Sequence, residues 1–590
     1  TGYITVVEPS ALGLAYDSTA LTEGFTALEL SGVSTGTESY TLASGKQLEN
    51  SADYREQAYT FGRDGGPALV VRFRAFDDGL GFRYELDGEG THSVREELTT
   101  FDVPTEGKAW MHAYDSVWMY APGYETSYQN EVAIGEAAPA GKNGWAFPAL
   151  FHTRDVWMLL TESNLDGTYC AVHLNDDPAD GRYQVRMPEP NEAFDSLRVL
   201  PQITLPWSSP WRVLHLSDDL AEVTTSNLVY HLAAPAEADG DWIEPGTASW
   251  SWWYYSDSPK DYDQLVEYVD FAAEMGWRYS LVDANWNIME GGDLKQLAEY
   301  AEEKGVKLLV WYNSGGPNNK VPEQPRDQMH TAEARREAFA MLRDLGVAGL
   351  KIDFFQSDKQ HIIQQYVDIL NDAAKYRMVI NFHGCTLPRG WSRTYPHLLT
   401  MEAVLGAEAY KFNGEFPGRA PVHNTILPFT RNVVGPMDYT PVTLSDSKNP
   451  HVTTSAHELA LAVVFESGLL HLADQPKAYR ALPPVAVEYL KQVPTAWDET
   501  HLVDGYPGDR VFLARRSGDV WYFGGIQSGE EAASYELNMD FLPEGDYTLT
   551  LLEDGADRAV TSREVEVTNA RPVTVELKPY GGVAGVLRAR

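Results

Sequence analysis

Two stretches of the chain place carboxylates directly after apolar runs, where they could take part in acid–base or nucleophilic chemistry. The run Val347–Leu350 leads into Lys351 and Asp353, and about fifty residues later a second apolar strand is followed by Glu402 and Glu408. A buried parallel strand that delivers one acid to the mouth of a barrel has this pattern. Cleavage of a glycosidic bond requires at least two acids that face one cavity, and two separate strand ends could supply them.

The two acids that we expect to react are Asp353 and Glu408. A nucleophilic carboxylate must be ionised, and Lys351 points to the same face of the strand as Asp353. We therefore expect the ammonium group to lower the pKa of Asp353 by about one unit or more; a structural Lys–Asp pair at the barrel rim is the alternative. Glu408 is the candidate general acid, with its pKa raised by repulsion from Glu402 and Asp353; a solvated acid is the alternative.

Other strand ends carry polar and aromatic side chains that suit a sugar. Carboxylates accept hydrogen bonds from hydroxyls, and indole faces cover a pyranose ring. The predicted substrate-binding residues are Trp253, Asp283, Trp311, Asn313, Lys351 and His383. Asp283 has a helix cap as its alternative interpretation, and His383 is equally compatible with a structural role at the rim. Glu458 and Glu466 lie in a helical stretch, where we expect them to be solvated or peripheral to the site.

The elements that must position these side chains alternate between strand and helix over residues 244–495. Predicted strands include 248–255, 279–283, 306–312, 349–354, 378–383, 398–402, a segment around 428–434, and 469–473. Between the first two, a helix begins near Ser258–Pro259 and ends at Gly276. Eight strands with helical crossovers predict a (β/α)₈ barrel. A doubly wound sheet is the second choice, because no glycine-rich phosphate turn follows the first strand.

The regions on either side of the predicted barrel have the sequence patterns of β structure. The chain of 590 residues is therefore predicted to form three domains. In residues 1–243, the runs 69–76 and 80–86 are separated by the polar turn 77–79, which indicates an antiparallel hairpin. A helix is predicted within 220–232. Residues 496–590 return to short strands with hairpin turns and predict a small β-sandwich.

Composition excludes several classes of function. A formal charge of −39 argues against nucleic-acid binding, since phosphate contacts need a basic face. Only Cys170 and Cys385 are present, so a disulfide framework is excluded and two buried free thiols are expected. No apolar run is long enough for a transmembrane helix, and no signal-peptide pattern is visible. The serine-elbow, zinc-protease and phosphate-loop motifs are absent, which favours a glycosidase among hydrolases.

Six sequence blocks carry a resemblance to a known family. They read FRAFDDGLGFRY (73–84), TESNL (161–165), SWSWW (249–253), KIDF (351–354), NFHG (381–384) and RTYP (393–396). In this order and spacing the chain resembles glycoside hydrolase family 97 over essentially its whole length. The resemblance implies an amino-terminal β-supersandwich over 1–243, a catalytic (β/α)₈ barrel over 244–495 and a carboxyl-terminal β-sandwich over 496–590.

The resemblance also implies a calcium ion at the active site. Glu162, reaching in from the amino-terminal domain, and Glu402 match its ligands, and carboxylates suit such a hard cation. The inverting branch of the family has base glutamates where this chain has Asn313 and Gly384. The retaining branch has instead an aspartate after the fourth strand, which Asp353 matches.

The function implied is a calcium-dependent, retaining exo-α-galactosidase, with Asp353 as nucleophile and Glu408 as acid/base. A β-L-arabinopyranosidase, an inverting α-glucosidase and an inactive carbohydrate-binding protein are the alternatives. The expected partner is a small saccharide or oligosaccharide. The expected location is periplasmic or secreted, and the sequence gives no oligomeric state.

Overall fold

The computed structural model describes residues 4–195, 197–236 and 240–590. Strands of the amino-terminal region form antiparallel sheets of eleven, five and four strands. In the largest sheet, Leu69–Phe76 and Gly79–Leu86 pair as a hairpin, with Phe73 opposite Phe82, which confirms the predicted hairpin. The predicted helical segment forms two short helices, Leu220–Thr225 and Leu228–His231.

Seven parallel strands form the barrel. Their order around the sheet is Leu398–Met401, Val379–Phe382, Gly349–Asp353, Lys307–Asn313, Tyr279–Val282, Gly246–Trp250 and Leu469–Leu472. The first crossover helix, Tyr262–Met275, begins where the Asp261 carboxylate accepts hydrogen bonds from two backbone N–H groups. It ends at Gly276, which has a φ of 70°, as a left-handed helix terminus requires.

The prediction of a strand around 428–434 is wrong, although the predicted fold class is confirmed. Leu427–Phe429 is a 3₁₀ turn that continues the helix Phe416–Ile426. The gap between the first and last strands of the sheet is bridged by an irregular segment without ladder pairing. There, Asp438 N–H donates to Met401 O (2.9 Å) and Met437 N–H donates to Glu466 O (2.9 Å). The segment's backbone groups are thereby satisfied without a regular strand.

The carboxyl-terminal region forms antiparallel sheets of six and two strands. Its six-stranded sheet packs against the barrel helix Ser455–Val464, whose residues are all buried. Gly582 is needed for this approach, because a Cβ atom there would lie 2.5 Å from His457 Cα. The C-terminal sheet and the barrel therefore share a close-packed interface.

The remaining elements complete these three regions. The amino-terminal strands are Leu14–Tyr16, Thr19–Leu21, Ala27–Leu30, Ser34–Thr41, Glu49–Gly62, Thr91–Glu97, Thr100–Asp102, Lys108–Met111, Ala113–Tyr114, Gln129–Ala133, Gly144–Trp145, Ala149–Thr153, Val156–Ser163, His173–Leu174, Arg182–Arg186, Gln202–Thr204, Trp207–Ser208 and Trp211–Ser217. The other barrel helices are Leu294–Glu303, Ala332–Asp344, Gln360–Tyr376, Trp391–Thr394, Ala409–Phe412, Pro476–Arg480 and Pro484–Gln492. The carboxyl-terminal strands are Glu499–Tyr506, Arg510–Ser517, Val520–Gln527, Ala533–Leu537, Tyr547–Asp554, Val560–Val567, Val573–Leu577 and Gly582–Ala589.

Both cysteines are buried free thiols, as expected. Within the described ranges, no helix has the length and apolar character that crossing a membrane requires.

Candidate active site

A cavity of about 650 Å³ opens at the carboxyl ends of the barrel strands. This is where catalytic residues of such barrels lie. Seven of the predicted residues line the cavity: Asp283, Trp311, Lys351, Asp353, His383, Glu402 and Glu408. The barrel therefore brings side chains from five strand ends, and from the loop after the strand Leu398–Met401, into one space.

Asp353 ends the strand Gly349–Asp353 and is almost completely buried. Trp311 Nε1–H, from the neighbouring strand, donates to Asp353 Oδ2 (3.0 Å). Burial is the largest influence on this carboxyl and, with repulsion from Glu402, raises the pKa of Asp353 to about 6 in spite of the Lys351 charge. The Lys351 charge lowers the pKa of Asp353 as predicted, but burial outweighs it, so the expected net lowering is wrong.

Lys351 turns instead toward two other acids. Its Nζ lies 3.1 Å from Asp283 Oδ2 and 3.7 Å from Glu408 Oε1. Although burial alone lowers the pKa of Lys351, the charges of Asp283 and Glu408 raise it above its usual value, so the ammonium stays charged. Asp283 is also held by Trp250, whose Nε1–H donates to Oδ2 (2.8 Å). The Asp283 carboxylate is thus fixed in the cavity by an ammonium and an indole.

Glu408 lies directly before the short helix Ala409–Phe412. Burial and repulsion from Glu402 and Asp353 raise the pKa of Glu408 to about 7, against the opposing charge of Lys351. Its Oε1 atom is buried and has no hydrogen-bond partner among the residues that the structure describes. A carboxyl in this setting is protonated near neutrality, as a general acid requires.

His383 is held between acids on both sides of its ring. Its Nδ1 atom lies 3.2 Å from Glu402 Oε1, and its Nε2 atom lies 2.7 Å from Asp438 Oδ2. Asn381 Nδ2–H donates to the same Asp438 oxygen (2.6 Å). Burial lowers the pKa of His383, but the Glu402 and Asp438 carboxylates outweigh it and raise the pKa well above the usual value. The Asp438 contact fixes the orientation of the imidazole toward Glu402.

Glu125 is a cavity residue that sequence reasoning missed. It comes from the amino-terminal region and lines the cavity with the barrel acids. Burial, together with repulsion from Glu402, Glu408 and Asp353, raises the pKa of Glu125 well above its usual value. The preceding residue, Tyr124, has a φ of 62°. Glu125 lies between the strands Ala113–Tyr114 and Gln129–Ala133, where no local sequence pattern marks it as a cavity residue.

The loop that carries Glu125 is attached to the barrel through Tyr124. The Tyr124 hydroxyl donates to Asp358 Oδ2 and accepts a hydrogen bond from Arg389 Nη2 (3.0 Å). Tyr124, Asp358 and Arg389 are all buried. Because Asp358 and Arg389 belong to the barrel, these contacts fix where Glu125 enters the cavity.

Glu162, the predicted calcium ligand, does not line the cavity with Glu402. Its Oε2 atom accepts a hydrogen bond from Arg212 Nη1, and its Oε1 atom accepts from Arg389 Nε and from the backbone N–H of Val172. The side chain is fully buried. Both oxygens are already neutralised by guanidinium groups, so Glu162 joins the amino-terminal region to the barrel as an ion-pair partner.

Two predicted substrate-binding residues, Trp253 and Asn313, are not among the residues that line the cavity. Trp253 and Asn313 are buried with their polar atoms engaged by the protein, Trp253 Nε1–H by Ala407 O (2.9 Å) and Asn313 Nδ2–H by Val321 O (3.0 Å). The structure thus offers no free polar group on either for a sugar. Glu458 and Glu466 are buried rather than solvated, and burial raises the pKa of each to about 7.

The fold and the buried acids define a barrel glycoside hydrolase. Family models match in three parts, described as "Glycosyl-hydrolase 97 N-terminal" over residues 3–235, "Glycoside hydrolase 97" over 242–404 and "Glycosyl-hydrolase 97 C-terminal, oligomerisation" over 496–588. The chain belongs to glycoside hydrolase family 97.

Two curated relatives match nearly the whole chain. A protein of Streptomyces bingchenggensis, named "Probable retaining alpha-galactosidase", is 34% identical over 99% of this chain and 87% of its own length. A "Retaining alpha-galactosidase" of Bacteroides thetaiotaomicron is 28% identical over 87% of this chain and 82% of its own length.

Solved structures share the same architecture. A structure titled "Crystal structure of beta-arabinopyranosidase" has a TM-score of 0.93 and 32% identity, covering 99% of this chain and 95% of that one. A family 97 enzyme from Pseudoalteromonas sp. strain K8, in complex with acarbose, has a TM-score of 0.84 over the same shares at 24% identity. The second similarity supports the fold alone.

Proposed function

We propose that this glycoside hydrolase is a retaining, exo-acting α-galactosidase in which Asp353 is the nucleophile and Glu408 is the acid/base. The observation that carries the proposal is the pairing of these two buried acids in one cavity, with pKa values of about 6 and about 7. One acid is ionised and the other protonated over a shared pH interval. The two relatives named retaining α-galactosidases add support.

The surroundings of Asp353 favour retention over inversion. A Cβ atom at Gly384 would lie 2.9 Å from Asp353 Oδ1 and 2.9 Å from Phe354 N, so a glutamate base there would collide with the nucleophile. The other base position holds Asn313, whose amide is engaged with backbone groups. An inverting enzyme needs a carboxylate that activates water across the ring, and neither position supplies one.

The reaction would proceed in two steps. Asp353 attacks the anomeric carbon while Glu408 gives its proton to the departing oxygen, so that a glycosyl ester forms as the glycosidic bond breaks. Glu408, now ionised, then takes a proton from water, and the water oxygen attacks the anomeric carbon and releases Asp353. Trp311 donates to one oxygen of Asp353, which leaves the other free for the attack.

We further propose that the site uses calcium, held by Glu125 and Glu402. The residues fit a hard cation: carboxylates from Glu125, Glu402 and Glu408 converge, and one Glu408 oxygen lacks a hydrogen bond among the described residues. His383, Glu402 and Glu408 offer ligand atoms that all lie within 4.8 Å of one another. When bound, the ion would neutralise this negative charge and polarise oxygens that it contacts.

A β-L-arabinopyranosidase is the second candidate. The similarity to the solved β-arabinopyranosidase, at 32% identity and a TM-score of 0.93, favours it. This sugar matches α-galactose except for the missing hydroxymethyl group. One such group changes binding by only a few kcal/mol, so the same cavity and the same acids serve either substrate.

We propose a periplasmic or secreted location, which the family resemblance supports. Cell fractionation, with activity measured in each fraction, tests it. Activity confined to the cytoplasm would contradict it.

The proposed function is tested with a panel of aryl glycosides followed by proton NMR. We expect turnover of the α-galactoside or the β-L-arabinopyranoside, with the product first released in the anomeric configuration of the substrate. The opposite anomer appearing first would refute the retaining mechanism. Turnover of the α-glucoside alone would refute the proposed specificity.

A further inference from the structure

We propose that Trp118, Tyr120 and Glu323 form a subsite for the leaving sugar of the substrate, so that the natural substrate carries a second pyranose ring rather than a small aglycone. This inference rests on the proposed function, because it concerns the far side of the bond that Asp353 and Glu408 would break. All three residues line the same cavity as the two acids.

A continuous path of aromatic rings leads from the nucleophile to the mouth of the cavity. Trp311, which donates to Asp353, lies 5.8 Å from Phe354 between ring centroids. Phe354 lies 5.7 Å from Tyr120, and Tyr120 lies 5.1 Å from Trp118. Each pair is tilted or edge-to-face, the favourable arrangement for aromatic rings.

Trp118 differs from a scattered surface residue because of where it lies. Its side chain is 55% exposed, yet it ends the path that begins at the reacting carboxylate. Exposed apolar surface that continues a ligand cavity marks a binding surface. A free indole face suits the apolar face of a pyranose ring.

Glu323 supplies the polar group that such a subsite needs. Its Oε2 atom is buried and has no hydrogen-bond partner within the described part of the chain. Burial, and next the Glu323 charge, raise the pKa of Tyr120, which places the carboxylate near the aromatic wall. A buried acceptor without a donor is unfavourable, and a sugar hydroxyl would satisfy it.

The aromatic wall spans two domains and is held in place. Trp118 and Tyr120 belong to the amino-terminal region, whereas Glu323 and Phe354 belong to the barrel. The barrel residue Gln356 donates from Nε2 to Met119 O, between the two aromatic residues. The platform is therefore attached to the loop that follows the nucleophile, which is suitable for positioning a leaving group.

The test compares two substrates with the same transferred sugar, galactose or arabinopyranose as the glycoside panel selects. One is the glycosyl fluoride, whose leaving group is a single atom, and the other is the α-1,6 disaccharide with glucose, or its arabinosyl counterpart. We measure kcat/KM for wild type, Trp118→Ala, Glu323→Gln and the control Leu30→Ala. Leu30 is 54% exposed on an amino-terminal strand and does not line this cavity.

We expect Trp118→Ala and Glu323→Gln each to lower kcat/KM for the disaccharide by about tenfold. Turnover of the fluoride should stay within about twofold of wild type for both variants and for the control. Equal losses on both substrates, or no loss on either, would overturn the inference. Failure of the wild type to hydrolyse the fluoride would instead refute the proposed function.

Discussion

The roles of Glu125 and Glu162 can be separated by a matched pair of charge-neutralising substitutions. Both are glutamates of the amino-terminal region, and Gln preserves the shape of each. Glu162 is buried between Arg212 and Arg389, whereas Glu125 lines the cavity with Glu402. Glu162→Gln should therefore lower stability, and Glu125→Gln should lower calcium affinity.

The magnitude for Glu162→Gln follows from the ions that it leaves behind. Arg212 retains the Glu97 carboxylate as a partner, but the one carboxylate left to Arg389 among the described residues is that of Asp358, 3.9 Å away. Removing one partner of a buried ion pair costs about 3–5 kcal/mol. At about 2–4 °C for each kcal/mol, the midpoint of thermal unfolding should fall by roughly 6–20 °C.

Glu125→Gln removes a cavity acid that is crowded by other carboxylates. With one fewer charged oxygen, calcium affinity should fall by about tenfold or more. Its effect on thermal stability without calcium should be small or favourable, since repulsion from Glu402, Glu408 and Asp353 is relieved.

The two measurements are calcium titration by calorimetry and thermal unfolding in the presence of a chelator. Weakened calcium binding by Glu162→Gln, together with a wild-type unfolding temperature, would contradict the role proposed for Glu162. Wild-type calcium affinity of Glu125→Gln would contradict the role proposed for Glu125.

Three further predictions concern the reaction centre and its support. The pH dependence of kcat/KM should be bell-shaped with limbs near 6 and 7, because activity needs ionised Asp353 and protonated Glu408. Saturating calcium should move both limbs to lower pH. Limbs that calcium does not move would contradict this prediction. Gly384→Ala should lower kcat by about 10- to 100-fold, because the new Cβ atom would lie 2.9 Å from Asp353 Oδ1; steady-state kinetics at wild-type levels would show that the nucleophile tolerates the crowding. Asp358→Asn should weaken calcium binding as well as stability, because it loosens the Tyr124 contact that carries Glu125; calorimetry showing wild-type calcium affinity would contradict this coupling.

The acids at the strand ends could be predicted because their signal is local. A parallel barrel strand is a short apolar run, and the first polar residue after it lies at the mouth. This reasoning found Asp353, Glu402 and Glu408, which the structure brings into one cavity. The direction of the Asp353 pKa could not be found in this way. The sequence shows that Lys351 is two positions from Asp353. It does not show that the Lys351 ammonium lies against Asp283, or that burial is the largest influence on the pKa of Asp353.

Contacts between domains could not be predicted, because they leave no local pattern in the sequence. Glu125 and Glu162 are both glutamates of the β-rich region, and only the folded structure separates the one in the cavity from the one between two arginines. The prediction of a strand around 428–434 was wrong for a related reason. Its apolar composition suits a strand, but the barrel buries it as a turn and bridges the gap with later residues.

The most direct test of the central claim, that Asp353 and Glu408 act from opposite faces of the sugar, is azide rescue of two variants on an activated aryl α-galactoside. Asp353→Gly should be inactive alone and should yield the β-galactosyl azide when azide is added. Glu408→Ala should yield the α-galactosyl azide, because azide then attacks the ester on Asp353. The same azide anomer from both variants, or full activity of Asp353→Gly without azide, would contradict the account.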